Sequence, residues 1–267
     1  MASDSSDDYD NYGYNDDSDY ESYSATDDDE VLKLAIEKLT LGPKKNKLLV
    51  FSLNGLLLHR AHKLDKSSIP ANRCPDGVYN GNRFVYKRPF LDEFMKFCLD
   101  RFEVGIWSSA QEHNVDAVMD CAFKGFSIRF LFIWDQDQCN NSGLKSLENK
   151  KKPLFFKELS KLCSSLANSS RGACFSDSNT LLIDDEPYKG LLNPPHTGIY
   201  PDSYDPNDVN DNALDPKEEL GEYLKGLVNA EDVPSYVKEH PFGQPAIGPL
   251  HPHWDFYSKI RRLKKDD

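Results

Sequence analysis

Long apolar runs, paired cysteines and a basic surplus are all missing from this sequence of 267 residues. No stretch approaches the roughly 18 consecutive apolar residues that a membrane-spanning helix needs, so we expect no membrane segment. The six cysteines include no CxxC pair and several lie within apolar runs. Such cysteines behave as small hydrophobic residues, and we therefore expect reduced thiols.

Lysine and arginine are absent from the first thirty residues, whose twelve acidic side chains account for the whole formal net charge of −12. The rest of the chain is balanced, with 32 acids against 32 bases. A nucleic-acid partner usually requires a basic face, so we expect none. The acidic start also differs from an Arg-rich transit peptide, which makes the nucleus or the cytoplasm the expected location.

Residues 1–43 are expected to form an acidic leader that is largely disordered, because they are rich in charge and poor in aliphatic side chains. Residues 31–41 could form a short helix before the Gly42-Pro43 break. The leader is interpreted either as an interaction tail or, preferably, as a solubilising segment.

From Lys47 onward, short apolar runs alternate with amphipathic stretches, a pattern that predicts parallel strands separated by helices. This alternation is typical of a doubly wound, Rossmann-like α/β domain. The predicted strands lie at residues 48–53, 104–107, 130–134 and 180–183, and the predicted helices at 89–101, 115–123 and 155–166.

Two additions to this α/β pattern are predicted. An Asn-Gly pair within residues 78–86 indicates a β-hairpin insertion. Residues 216–227 and 233–240 indicate a helical C-terminal extension, so we expect the folded domain to span residues 44–250. The basic tail at 251–267 could pair with the leader, act as a nuclear signal or be solvated, and solvation is the preferred interpretation.

Five sequence blocks carry a resemblance to a known family, and they lie at residues 47–59, 87–94, 104–110, 155–159 and 182–187. In this order they resemble the blocks of the NLI-interacting-factor-like phosphatases of FCP/SCP type, the carboxy-terminal-domain phosphatases of the haloacid dehalogenase superfamily. The resemblance covers roughly residues 44–250. It implies a haloacid dehalogenase fold with Mg²⁺-dependent phosphoprotein phosphatase activity.

The catalytic motif of that family is degenerate in this sequence. The family's first strand ends Asp-x-Asp-x-Thr, where the first Asp is the nucleophile and the second is the general acid and base. The matching positions are Ser52, Asn54 and Leu56. Because a serine needs a neighbouring base and an amide cannot accept a proton at neutral pH, we expect ordinary turnover to be lost.

Other family positions are retained. The resemblance implies that Ser108 and Lys157, the latter on an amphipathic helix, hold the phosphoryl group, and that Asp184 and Asp185 belong to the Mg²⁺ site. Because Ser52 replaces one carboxylate, we expect Mg²⁺ binding to be weak or absent.

Three functions follow as hypotheses. The preferred one is a pseudophosphatase that binds or regulates a protein segment, including a phosphorylated one. The second is an active protein serine phosphatase whose chemistry has moved to Ser52 or Asp135. The third, implied by the resemblance alone, is a preprotein-binding domain like that of the mitochondrial inner-membrane translocase subunit. Asp135 and Asp137 form a second Asp-x-Asp pair, for which a structural role is expected.

Overall fold

The computed structural model describes residues 45–147, 152–166 and 175–263 of the chain. The predicted acidic leader, including the helix expected at residues 31–41, lies outside these ranges. Cys174 and the last four residues also lie outside them. No helix in the described ranges is both long enough and apolar enough to cross a membrane.

Ten strands and six α-helices occur in the described part of the chain. The strands are β1 (Leu48–Phe51), β2 (Leu58–His62), β3 (Gly77–Tyr79), β4 (Arg83–Lys87), β5 (Glu103–Trp107), β6 (Phe132–Trp134), β7 (Asn140–Lys145), β8 (Pro153–Phe156), β9 (Thr180–Ile183) and β10 (Gly198–Ile199). The helices are α1 (Leu91–Arg101), α2 (Glu112–Ala122), α3 (Leu159–Leu166), α4 (Glu219–Asn229), α5 (Val233–Glu239) and α6 (Trp254–Leu263).

The central sheet has five parallel strands in the order β10-β9-β1-β5-β6. Successive side chains of a strand point to opposite faces. Accordingly, Leu49 and Phe51 pack with residues of α1 and α2, whereas Leu48 and Val50 pack with residues of α3. The sheet is thus covered by helices on both faces, which confirms the predicted doubly wound α/β fold.

The predicted hairpin is confirmed, and it belongs to a three-stranded antiparallel sheet in the order β2-β4-β3. Its turn places Asn80 at a φ of 51° and Gly81 at a φ of 67°. The register pairs Tyr79 with Arg83, so the loop has three residues, and the positive φ of two of them lets the chain reverse within this short span. The strand β2 was not predicted. It extends the hairpin back toward the end of β1.

The helix predicted at residues 155–166 is wrong in its first part. Phe155 and Phe156 belong to β8, which pairs with β7, and the helix α3 begins only at Leu159. Lys157 therefore lies in the connection between β8 and α3, not on a helix. The alternating burial along β8 shows why a strand forms there, since Leu154 and Phe156 are buried.

The basic segment after residue 250 does not stay solvated along its length. It forms α6, and within α6 the side chains of Tyr257 and Ile260 are buried. They pack in one cluster with Phe156, Tyr188 and Leu191. The segment thus packs through its apolar side chains, while the basic side chains of Lys259 and Arg262 are exposed.

Candidate functional site at the carboxyl edge of the sheet

Three of the predicted site residues are brought together by the register of the central sheet. Phe51 of β1 lies between Ile106 of β5 and Ile183 of β9. One or two residues beyond these partners, Ser52, Ser108 and Asp184 follow the ends of neighbouring strands. Ser52 is 2% exposed, and its amide donates a 2.9 Å hydrogen bond to the carbonyl of Ile183. The carboxyl edge of the sheet is therefore where the site is built.

The other two motif positions, Asn54 and Leu56, have different surroundings from Ser52. Asn54 is exposed, and its Oδ1 accepts a 2.8 Å hydrogen bond from the amide of Arg60 in β2. Leu56 is fully buried in the main hydrophobic cluster. The Ser52 hydroxyl makes no hydrogen bond with any described residue, so no base adjoins it there to activate it as a nucleophile.

Lys157 and Asp184 form a fully buried ion pair, in which the lysine Nζ lies 2.6 Å from Asp184 Oδ2. Burial lowers the pKa of Lys157, and the charge of Asp184 opposes this shift. Burial also disfavours the ionised form of Asp184, but nearby Lys157 and Lys189 outweigh it and lower the pKa of the carboxyl. The lysine predicted to hold a phosphoryl group already has a carboxylate partner.

Lys189 is a second buried lysine, which the sequence interpretation missed. Its Nζ lies 2.9 Å from Glu186 Oε2 and 3.6 Å from Asp184 Oδ1. Glu186 also bonds the ammonium of Lys152. Burial would raise the pKa of Glu186, but the two lysines lower it to about 2. The available signal was the three-residue spacing of Glu186 and Lys189 around Pro187, which starts a single 3₁₀ turn.

Asp185 is buried with less compensation than its neighbours. Its Oδ2 accepts a 2.7 Å hydrogen bond from Ser203, whereas its Oδ1 is buried without a hydrogen-bond partner. The carboxylate lies against Gly55, where an added Cβ would come within 2.0 Å of Asp185 Oδ2. Burial, followed by the charge of Asp184, raises the pKa of Asp185 to about 6.

The donor set does not fit the magnesium ion that the resemblance implies. Mg²⁺ prefers hard anionic oxygens. Ser52 offers a neutral hydroxyl, and lysines already neutralise Asp184 and Glu186. Asp185 alone has an unpartnered carboxylate oxygen. Within the described ranges, no group of three or more His, Cys, Asp or Glu side chains is arranged to hold a metal.

Ser108 and Asp135 have local structural contacts. Ser108 is 4% exposed, and its Oγ accepts a 3.1 Å hydrogen bond from the amide of Ala110. Asp135 Oδ1 caps a short 3₁₀ turn by accepting a 2.7 Å hydrogen bond from the amide of Asp137. This bond agrees with the structural role expected of the second Asp-x-Asp pair.

A groove of about 320 Å³ opens beside Asn54, between the three-stranded sheet and the carboxyl ends of β5 and β6. Of the described residues, none that lines this groove is acidic. Its two charged residues, Arg60 and Arg83, come from β2 and β4. Arg83 lies two positions from Val85, the partner of Arg60, so both arginines occupy one face of the sheet. The groove is lined by Asn54, Arg60, Tyr79, Arg83, Ala110, Gln111, Asn114 and Gln136.

The doubly wound parallel sheet, the hairpin insertion and the polar residues at the carboxyl edge define an α/β domain of the kind that the sequence resemblance implied. The model of the NLI interacting factor-like phosphatase family matches residues 47–234. The chain belongs to this family. A relative in Schizosaccharomyces pombe, an uncharacterised protein with an FCP1 homology domain, is 28% identical over 203 residues. That match covers 73% of this chain and 77% of the relative.

Two solved structures of the fission yeast RNA polymerase II CTD phosphatase Fcp1 also resemble the chain. The first is a variant in which an arginine is replaced by alanine, bound to beryllium fluoride, with 15% identity to this chain and a TM-score of 0.39. The second has 15% identity and a TM-score of 0.41. Each match covers 90% of this chain but only 66% of the Fcp1 chain, so this chain spans slightly less than two thirds of those proteins.

Proposed function

We propose that this chain is a noncatalytic member of its family that binds a phosphorylated protein segment in the groove beside Asn54. The observation that carries the proposal is a combination at one edge of the sheet: the family's reactive carboxylate positions are occupied by Ser52 and Asn54, and the charged residues among the described lining of the groove are both arginines. Binding and hydrolysis need different groups, and this site retains those suited to binding.

The chemistry of hydrolysis is not supported by the residues after β1. Asn54 cannot give or take a proton at neutral pH, and the loss of general acid–base help alone typically costs about 10²–10⁴ in rate. Ser52 has no base within hydrogen-bonding distance among the described residues. Replacing the family's first carboxylate also removes the covalent two-step route.

The chemistry of binding is supported by Arg60 and Arg83. A guanidinium presents planar donors that match phosphate oxygens and can bond two of them at once. The surrounding amides of Asn54, Gln111 and Asn114 add donors for a bound main chain. An acidic or phosphorylated segment therefore fits the charge of this groove better than a basic one does.

Lys157 and Ser108 do not line this groove. Lys157 is fully buried and its charge is already paired with Asp184. In this proposal, direct contact with the phosphate is therefore made by the more exposed Arg60 and Arg83.

Fluorescence anisotropy with a degenerate phosphoserine peptide mixture tests the proposal, with the unphosphorylated mixture as reference. We expect the full chain to favour the phosphorylated mixture. Replacing Arg60 or Arg83 by Met should weaken binding about 10- to 150-fold, since a charge-assisted hydrogen bond contributes roughly 1.5–3 kcal/mol. Arg129→Met is the matched control, because Arg129 pairs with Asp100 and does not line the groove.

The proposal fails if the full chain binds both mixtures equally. It also fails if Arg129→Met reduces binding as much as the groove variants do, because the effect would then reflect overall charge.

A further inference from the structure

Three consecutive acidic residues, Asp184, Asp185 and Glu186, follow β9. The 3₁₀ turn Pro187–Gly190 comes next and places Lys189 close to two of them. Lys189 lies 2.9 Å from Glu186 Oε2 and 3.6 Å from Asp184 Oδ1. The charge of Asp185 also acts on this lysine. A single ammonium group thus pairs with the first and third carboxylates of the run, Asp184 and Glu186, and makes no ion pair with Asp185.

The backbone holds Lys189 in this position. Its amide donates a 3.0 Å hydrogen bond to the carbonyl of Glu186, and its carbonyl accepts a 2.8 Å hydrogen bond from the amide of Lys157. The side chain is only 4% exposed. The two buried lysines are therefore connected through the main chain, and both ammonium groups converge on Asp184.

We propose that the Lys189 ammonium is the resident cation of this carboxylate run and takes the place that the family resemblance assigns to Mg²⁺. The inference rests on the ion pairs of residues 184–189 and is independent of the peptide-binding proposal. A buried ammonium neutralises nearby carboxylates without the coordination shell that a metal needs.

Charge balance explains why a divalent ion does not fit beside this lysine. Lys152, Lys157 and Lys189 already contact Asp184 and Glu186. A metal ion would bring two further positive charges close to these ammonium groups. One negative charge that would attract the ion is also missing, because Ser52 stands where the resemblance places the family's first carboxylate. Removing Lys189 alone would instead leave a carboxylate run with a deficit of positive charge.

Thermal unfolding of the full chain with and without Mg²⁺ tests this proposal. We expect the unaltered chain to melt at the same temperature in EDTA and in about 10 mM Mg²⁺. Lys189→Met should melt lower in EDTA and regain about 2–4 °C in Mg²⁺, because the ion then binds the freed carboxylates.

Lys152→Met is the matched control, since Lys152 also bonds Glu186 but its side chain is 43% exposed. This variant should remain insensitive to Mg²⁺, because the buried ammonium of Lys189 is still present. Stabilisation of the unaltered chain by Mg²⁺ would overturn the proposal. A folded Lys189→Met variant that ignores Mg²⁺ would overturn it as well.

A direct calorimetric titration covers the case in which Lys189→Met does not fold. The unaltered chain should then show no Mg²⁺ binding at millimolar concentrations, and the charge-conserving variant Lys189→Arg should behave in the same way. Submillimolar Mg²⁺ binding by either protein would contradict the assignment of Lys189 as the resident cation.

Discussion

The carboxylate of Asp185 shows how a single residue at this site carries an uncompensated charge. Its pKa rises from an ordinary value of 3.8 to about 6, first because of burial and second because of Asp184. The folded chain therefore holds this proton more tightly than the unfolded chain does. Ionised Asp185 lowers the free energy of unfolding above about pH 6, and this cost disappears as the pH falls below about 4.

Asp185→Asn is predicted to stabilise the protein at pH 7.5, on the order of 2–3 kcal/mol in the free energy of unfolding, because the amide removes the buried charge. Urea unfolding at pH 7.5 and pH 4.5 measures the effect, and the gain should shrink at the lower pH. Asp116→Asn serves as the control, since Asp116 is exposed on α2. An equal gain at both pH values would rule out ionisation as the cause.

The sequence pointed to some of the residues at this site and missed others. The resemblance pointed to Ser52, Asn54, Ser108 and Asp184, which follow the ends of strands. The register of the sheet explains why Ser52, Ser108 and Asp184 lie close together. Lys189 was missed. The three-residue spacing from Glu186 was a signal for that ion pair, but the contact with Asp184 depends on the turn that follows β9.

At the scale of secondary structure, apolar runs predicted the strands of the central sheet well, because strands buried on both faces are almost continuously hydrophobic. The strand β8 was mistaken for the start of a helix, since four residues do not distinguish the two periods. Its pairing with β7 decides the conformation, and such a contact is not a local property of the sequence.

The helix α6 illustrates the same limit, because its basic residues suggested solvation while its apolar face packs on the domain. Ile260 is 2% exposed and belongs to a cluster with Leu154 and Phe156. We predict that Ile260→Ala lowers the free energy of unfolding by about 2–4 kcal/mol through lost burial and a cavity. The measurement is urea denaturation.

The control for this prediction is Lys259→Ala, the exposed neighbour of Ile260 on α6. It should change the free energy of unfolding by less than about 0.5 kcal/mol. If Ile260→Ala is equally mild, α6 does not contribute to the stability of the domain.

At the scale of the whole molecule, the family fold is intact while the reactive groups after β1 are replaced. The core packs both faces of the sheet, and the hairpin sheet forms one wall of a positively charged groove. The resemblance places the family's Asp-x-Asp-x-Thr motif on Ser52, Asn54 and Leu56, which lie within five residues of each other. These three residue types in a retained fold are the physical basis on which we propose a binding function.

Turnover of para-nitrophenyl phosphate by the full chain in Mg²⁺ tests this central claim most directly, measured beside Ser52→Ala and Asp135→Ala. We predict no turnover above the buffer rate in any of the three proteins, because none of them has the carboxylate pair that the family's reaction uses. Turnover by the unaltered chain that either substitution abolishes would contradict the account and establish displaced phosphatase chemistry.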